Sequence, residues 1–186
     1  MVFRSELGNH GGMTTVELPA PGTYRIDPAS SLVALSGRHL FGLAPVRGRF
    51  AVRAGTIQVA DPITDSLAEA SIDVASFDTG NSQRDNEVRS PRYLDAGRYP
   101  LIEFISGRVA REDGAWKLTG ELTVRDTTRE VTLDIESASR ADDGFTVRAR
   151  TKVNRTDFGV TTLRGLGGSV FELTLEVTAV TAPHPA

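Results

Sequence analysis

"VFELTLEVTAV", residues 170–180, decides the architecture. Every second residue is apolar: Phe171, Leu173, Leu175, Val177 and Ala179 line up against Glu172, Thr174 and Glu176. Successive side chains of an extended strand point to opposite faces, so this run reads as a strand with one dry face and one wet. The same period returns upstream. "FTVRARTKV" (145–153) aligns Phe145, Val147, Ala149, Thr151 and Val153. "REVTLDIE" (129–136) sets Val131, Leu133 and Ile135 against four polar residues, and "VRGRFAVR" (46–53) sets Val46, Gly48, Phe50 and Val52 against Arg47, Arg49, Ala51 and Arg53.

Weaker runs lie at 23–26, 31–37, 56–59, 67–74, 101–109 and 115–124. Turn signals separate them at Asp27-Pro28, Gly55, Asp61-Pro62, Asp113-Gly114 and Asp143-Gly144. The last two pairs, each between alternating runs, predict antiparallel hairpins. Roughly eight to ten half-wet strands predict an antiparallel sheet closed on itself, because closure removes the exposed edges. About eight strands leave an interior just wide enough for one ligand.

The alternation fails over "SFDTGNSQRDNEVRSPRYLDAGRYP" (76–100), where charges crowd in. Asn81 or Ser82 can cap a helix near 82–89, Ser82-x-x-Asp85 resembles a capping box, and Asp85 and Arg89 stand as an i, i+4 pair. Pro91 stops the helix, since the residue before a proline disfavours the α region. With Val88 its single large apolar residue, this helix is expected to lie across a polar rim.

At 39% hydrophobic and 24% charged residues, the 186-residue chain is of the ordered, globular kind, long enough for one core with an enclosed cavity. A net charge of -3 argues against nucleic acid as a partner. Lys117 and Lys152 are the only lysines. The arginines are spread along the whole chain, which fits coding bias better than a phosphate site. There is no cysteine, and His10, His39 and His184 lie far apart, so neither a metal nor a cofactor is expected. The N-terminal stretch holds no apolar run of signal-peptide or membrane-span length, which predicts a cytoplasmic protein.

Four constellations merit weighing. Asp78, Asp85, Glu87 and Asp95 supply carboxylates for hydrolysis, but the nearby arginines would keep them ionised, which favours salt bridges and caps. "DTGNSQRDNE" misses the calcium-loop pattern at its third and sixth positions. Ser36 or Ser106 with His39 lacks a nucleophile elbow. The acid-free region 28–60 carries Arg38, Arg47, Arg49 and Arg53; a solvated outer face is the plain reading, a patch for anionic lipid headgroups the alternative.

Several segments together resemble the YceI-like family of lipocalin-like, polyisoprenoid-binding proteins: "YRIDPASSLVALSGRHL" (24–40), "VRGRF" (46–50), "DTGNSQRDNEVRSPRYLDAGRYPLIEF" (78–104), "GELTVRDTTREVTL" (120–133) and "NRTDFGV" (154–160). Glu87 stands where the family usually shows His, Val88 where it shows Leu, and Asp126 where it shows Gly. The resemblance implies an all-β chain with one short helix: an antiparallel, eight-stranded, lipocalin-like β-barrel with a helix-bearing lid at its mouth. It spans residues 23–180, between a flexible extension over 1–22 and a tail over 181–186. It also implies a non-enzymatic role, holding a long isoprenoid or similar lipid in the apolar lumen as carrier or store. A small hydrolase or isomerase using the same cavity, or a stress-response interaction module without ligand, stays as alternative. A transient membrane-surface contact and a homodimer are left open.

The residues expected to touch the ligand are Phe50, Tyr93, Leu94, Tyr99, Ile102, Phe104, Leu122, Leu133, Phe145, Phe158, Phe171 and Leu173. Those expected to build the lid and its supports are Arg38, His39, Asp78, Asn81, Arg84, Asp85, Arg89, Asn154, Arg155 and Asp157. Phe104 is the preferred ligand wall, since Tyr99-Pro100 places its strand directly after the lid.

Overall fold

A computed structural model describes residues 16–39, 44–161 and 168–182, with backbone alone at Arg38, His39, Ala44 and Pro45. Nine strands follow in order: β1 (Gly22–Ile26), β2 (Leu32–His39), β3 (Ala44–Val59), β4 (Leu67–Asp73), β5 (Leu101–Glu112), β6 (Ala115–Val124), β7 (Thr127–Ala141), β8 (Gly144–Asn154) and β9 (Val170–Thr181). The helix α1 covers Ser82–Arg89, as its caps predict.

The antiparallel ladder runs β3-β2-β9-β8-β7-β6-β5-β4 and closes where β4 pairs β3. That ring has eight places. Strand β1 shares the place of β2, pairing β3 and β9 beyond a 3-10 turn at Pro28–Ser30 that Asp27 caps. Register shifts at Val52/Ala54, Ser106/Arg108 and Ile135/Ser137 bulge β3, β5 and β7. An extra residue bends a strand and increases its twist, which is how a ladder curls far enough to close.

The turn signals divide into two kinds. Asp113 and Gly114 both have positive φ (52° and 82°), as a two-residue hairpin of this hand requires. Gly55 is not a turn: 46–53 and 56–59 are one strand, β3. A Cβ at Gly55 would lie 2.4 Å from Ile26 and 2.6 Å from the Glu69 carbonyl, so the glycine marks a close approach. Gly144 likewise opens β8 rather than turning the chain, and Ala141 pairs with it across Asp142-Asp143.

The apolar phase points inward in three clusters. Tyr24, Val59, Phe145 and Ala179 plug the end away from α1, with Tyr24 edge-on to Phe145 at 5.0 Å. Phe104, Leu122, Leu133, Ala149 and Phe158 fill the middle. Ile26, Val33, Phe50, Val52, Ile72 and Phe77 form the third. Of the extension expected over 1–22, residues 1–15 lie outside the described residues. Val16 to Ala20 are held instead of loose: the Glu17 amide donates to Ala138 and the Arg140 side chain donates to the Leu18 carbonyl. At the other terminus the Ala182 amide donates to Thr23, and 183–186 lie outside the described residues.

Candidate functional site: a lidded apolar cavity

The lid starts as a strap. Asp78 pairs with the edge of β3 beyond the stretch that β4 covers, its amide and carbonyl exchanging bonds of 3.0 and 2.9 Å with Arg49. The Arg49 guanidinium also clasps the Asp78 carboxylate at 2.8 Å. Gly48, next to this clasp, faces inward and leaves room for the strap: a Cβ there would sit 2.9 Å from the Phe77 ring and 3.0 Å from the Thr79 methyl. Phe77 uses that room to enter the barrel, its ring 4.8 Å from Phe50. Arg49, read from sequence as one of several solvated arginines, is therefore the outer anchor of the lid.

The helix is fastened to the strap by polar bonds. The Asn81 side chain caps it, accepting from the Arg84 amide at 3.0 Å and satisfying one otherwise orphaned donor. Asp85 is buried and makes no capping box. Its Oδ1 accepts from the Thr79 amide (3.0 Å) and hydroxyl (2.6 Å), and the Thr79 oxygen accepts in turn from Arg84 Nε (2.8 Å). The expected Asp85–Arg89 pair gives way to this arrangement. Arg89 donates to the Phe77 carbonyl and, at 3.5 Å, to Asn86. Glu87 faces Arg92 at 3.4 Å.

Three of the four carboxylates weighed for hydrolysis thus hold protein groups. Ser106, weighed as a nucleophile, is buried and accepts from the Ala68 amide at 2.6 Å. The side chains of Arg38 and His39 lie outside the described residues.

Opposite the lid, Asn154 caps a 3-10 turn, Arg155–Phe158, by accepting from the Thr156 amide and hydroxyl. Asp157 is exposed on that turn. Arg155 donates to the carbonyls of Val160 (2.5 Å) and Gly168 (3.3 Å), joining the two chain segments that flank 162–167.

Between these parts lies a cavity of about 630 Å³, within the range of small-molecule sites. Phe50, Ile102, Leu122 and Phe158 border it, as do Phe171, Leu173, Tyr93 and Leu94. Phe104, Leu133 and Phe145 do not: Phe104 and Leu133 pack in the middle cluster, Phe145 in the plug. Phe104 lies over Gly120, where a Cβ would come within 2.8 Å of its ring, so it is packed into the core instead of forming ligand wall. Tyr99 turns outward. Its hydroxyl donates to Asp126 at 3.3 Å, and its ring stacks under Arg98 and Arg125 at 5.1 and 5.7 Å.

Sequence reasoning missed Val33, Leu35, Val46, Phe77 and Val153, which also border the cavity. Val46 and Val153 share the phase of residues that were named. Phe77 lies where no alternation exists to read.

The Gly80 amide first, and then Arg49, hold the Asp78 carboxyl below its ordinary 3.8. A depressed folded value means the clasp contributes fully above 3.8 and is lost as pH falls through the lower, folded value. Exchange of the Arg49 and Asp78 amide hydrogens, corrected for intrinsic pH dependence, should lose protection below about pH 3.8. Protection that fades well above this would mean another group controls the strap.

Comparisons with known proteins agree with this fold. The family model described as "YceI-like domain" matches residues 24–180. Protein YceI of Salmonella arizonae is 30% identical over 132 residues, covering 67% of this chain and 68% of that protein. Among solved structures, Burkholderia cenocepacia BcnA superposes with a TM-score of 0.72 at 22% identity, over 83% of this chain and 99% of that one. A polyisoprenoid binding domain from Saccharophagus degradans does so at 0.67 and 14% identity, over 86% and 98%. At these identities the two structures speak for the fold.

Proposed function

The chain belongs to the YceI-like domain family, and from that premise we propose that it holds the chain of an isoprenoid or similar lipid in its lumen, as carrier or store. The observation that carries this reading is the cavity itself, walled by the inward apolar phase of the strands and roofed by the lid. Support comes also from the polyisoprenoid binding named for the S. degradans domain. Such a wall recognises hydrocarbon without directional bonds. Each CH₂ removed from water contributes about 0.8 kcal/mol, so about ten of them offer roughly 8 kcal/mol before the cost of immobilising the chain.

Mass spectrometry of an organic extract from the purified protein tests this. A co-purifying prenyl or acyl lipid in stoichiometric amount is the expected result. A lipid-free protein that also fails to take up prenyl and acyl chains offered in detergent would overturn it.

A further inference from the structure

Tyr93 is 8% exposed and borders the cavity. Its amide donates to Ser90 at 3.0 Å, and its carbonyl accepts from Arg125 at 3.3 Å. Its hydroxyl has no hydrogen-bond partner among the described residues. Nor is that hydroxyl, among the described residues, one of the buried side-chain polar atoms that lack a hydrogen bond, which belong to Arg89, Ser90, Arg125 and Arg150. It is therefore accessible to solvent, and Tyr93 is one of the residues that line the cavity. The charged side chains nearby are engaged elsewhere: Arg84 with Thr79, Glu87 with Arg92, Arg155 with two carbonyls.

On the lipid-binding reading above, we propose that the Tyr93 hydroxyl donates a hydrogen bond to an uncharged oxygen of the bound lipid, a hydroxyl or carbonyl, fixing that oxygen beneath α1. A phenol has one proton to give and is suited to a neutral acceptor. Burial, and then the Glu87 carboxylate, push its titration above the ordinary 10.0, so it stays a donor at neutral pH. Glu87, Arg84 and Arg155 all line the cavity, so its rim carries both signs of charge, and the two arginines are bonded to Thr79 and to two carbonyls. A buried donor also discriminates: a ligand without the oxygen leaves the hydroxyl unmatched.

The test is calorimetric titration with three probes of equal chain length: an all-trans C20 prenyl alcohol, its hydrocarbon lacking the oxygen, and the C20 prenyl diphosphate. Tyr93→Phe should weaken binding of the alcohol about three- to tenfold, the range of one hydrogen bond. Binding of the hydrocarbon should hold or tighten, since the variant has no unmatched hydroxyl, and this also reports an intact cavity. Equal losses for alcohol and hydrocarbon, or no loss for the alcohol, would overturn the assignment while leaving lipid binding in place. A diphosphate that binds tighter than the alcohol and loses more in Tyr93→Phe would overturn the uncharged acceptor. If the unaltered protein takes up none of the three, the lipid reading fails, and this one with it.

Discussion

Leu173→Glu is expected to give a folded barrel that no longer retains a lipid chain. Leu173 lies in the first third of β9, opposite Leu35 on β2 and Thr151 on β8, and borders the cavity. Without a lipid, water entering the cavity can hydrate the new carboxylate, so the strands need not separate. A bound hydrocarbon would have to strip that water from a charge with Val33, Leu35 and Phe50 as fellow wall residues. Stripping an unpaired charge costs several kcal/mol, and the lost leucine contact adds about 1.5–3. Even about 4 kcal/mol in sum weakens retention roughly a thousandfold. Lipid content of the extract reads the loss, and a cooperative melt by circular dichroism reads the fold. Lys152→Ala, on the wet face of β8, serves as the control and should keep its lipid. A lipid-filled Leu173→Glu protein would reverse the assignment of inside and outside.

The second large effect concerns stability. Asp85→Ala removes the acceptor for both the amide and the hydroxyl of Thr79 from a position only 4% exposed. Hydrogen bonds to a charged group are worth about 1.5–3 kcal/mol, and the Thr79 amide is left without a partner. A loss of about 2–4 kcal/mol follows, measured by urea unfolding or, where opening is local, by exchange of the Thr79 amide. Arg84→Ala is the internal comparison. It removes one exposed bond to the same threonine and should cost within about 1 kcal/mol. A larger loss from Arg84→Ala than from Asp85→Ala would mean that the strap is held by the guanidinium.

What was legible from sequence and what was not have a common physical origin. Alternation is a local property of one strand, so the runs around Leu133, Phe145 and Leu173 announce their strands and their inward faces. The caps of α1 are local too, and Asn81 with Pro91 marks both ends. Depth along the barrel is not local. Phe104 and Ile102 share one phase of β5, yet Ile102 borders the cavity and Phe104 packs below it over Gly120. Close approaches are equally hidden. Gly55 and Gly144 resemble turn glycines because nothing nearby in sequence shows that Ile26 or Ala179 will press against them. Tyr99 is misread for a third reason. The Arg125-Asp126 turn that draws it outward lies some twenty-six residues on, beyond any helical or strand period.

The entry of Phe77 between Gly48 and Phe50 has a consequence for time scales. A roof hinged on a loose tether would swing at loop speed, but this one carries part of the interior on its own strap. Withdrawing a phenyl ring into water costs about 1.5–3 kcal/mol, and undoing the Arg49–Asp78 ladder adds to it. If exchange of cargo requires this withdrawal, it becomes a partial unfolding event. That barrier stands in the way of arrival and departure alike, so it lengthens residence without entering the dissociation constant. How tightly a lipid is held is then set by the wall, Phe77 included, whereas how long it stays depends also on Arg49 and Asp78, which are not among the residues bordering the cavity.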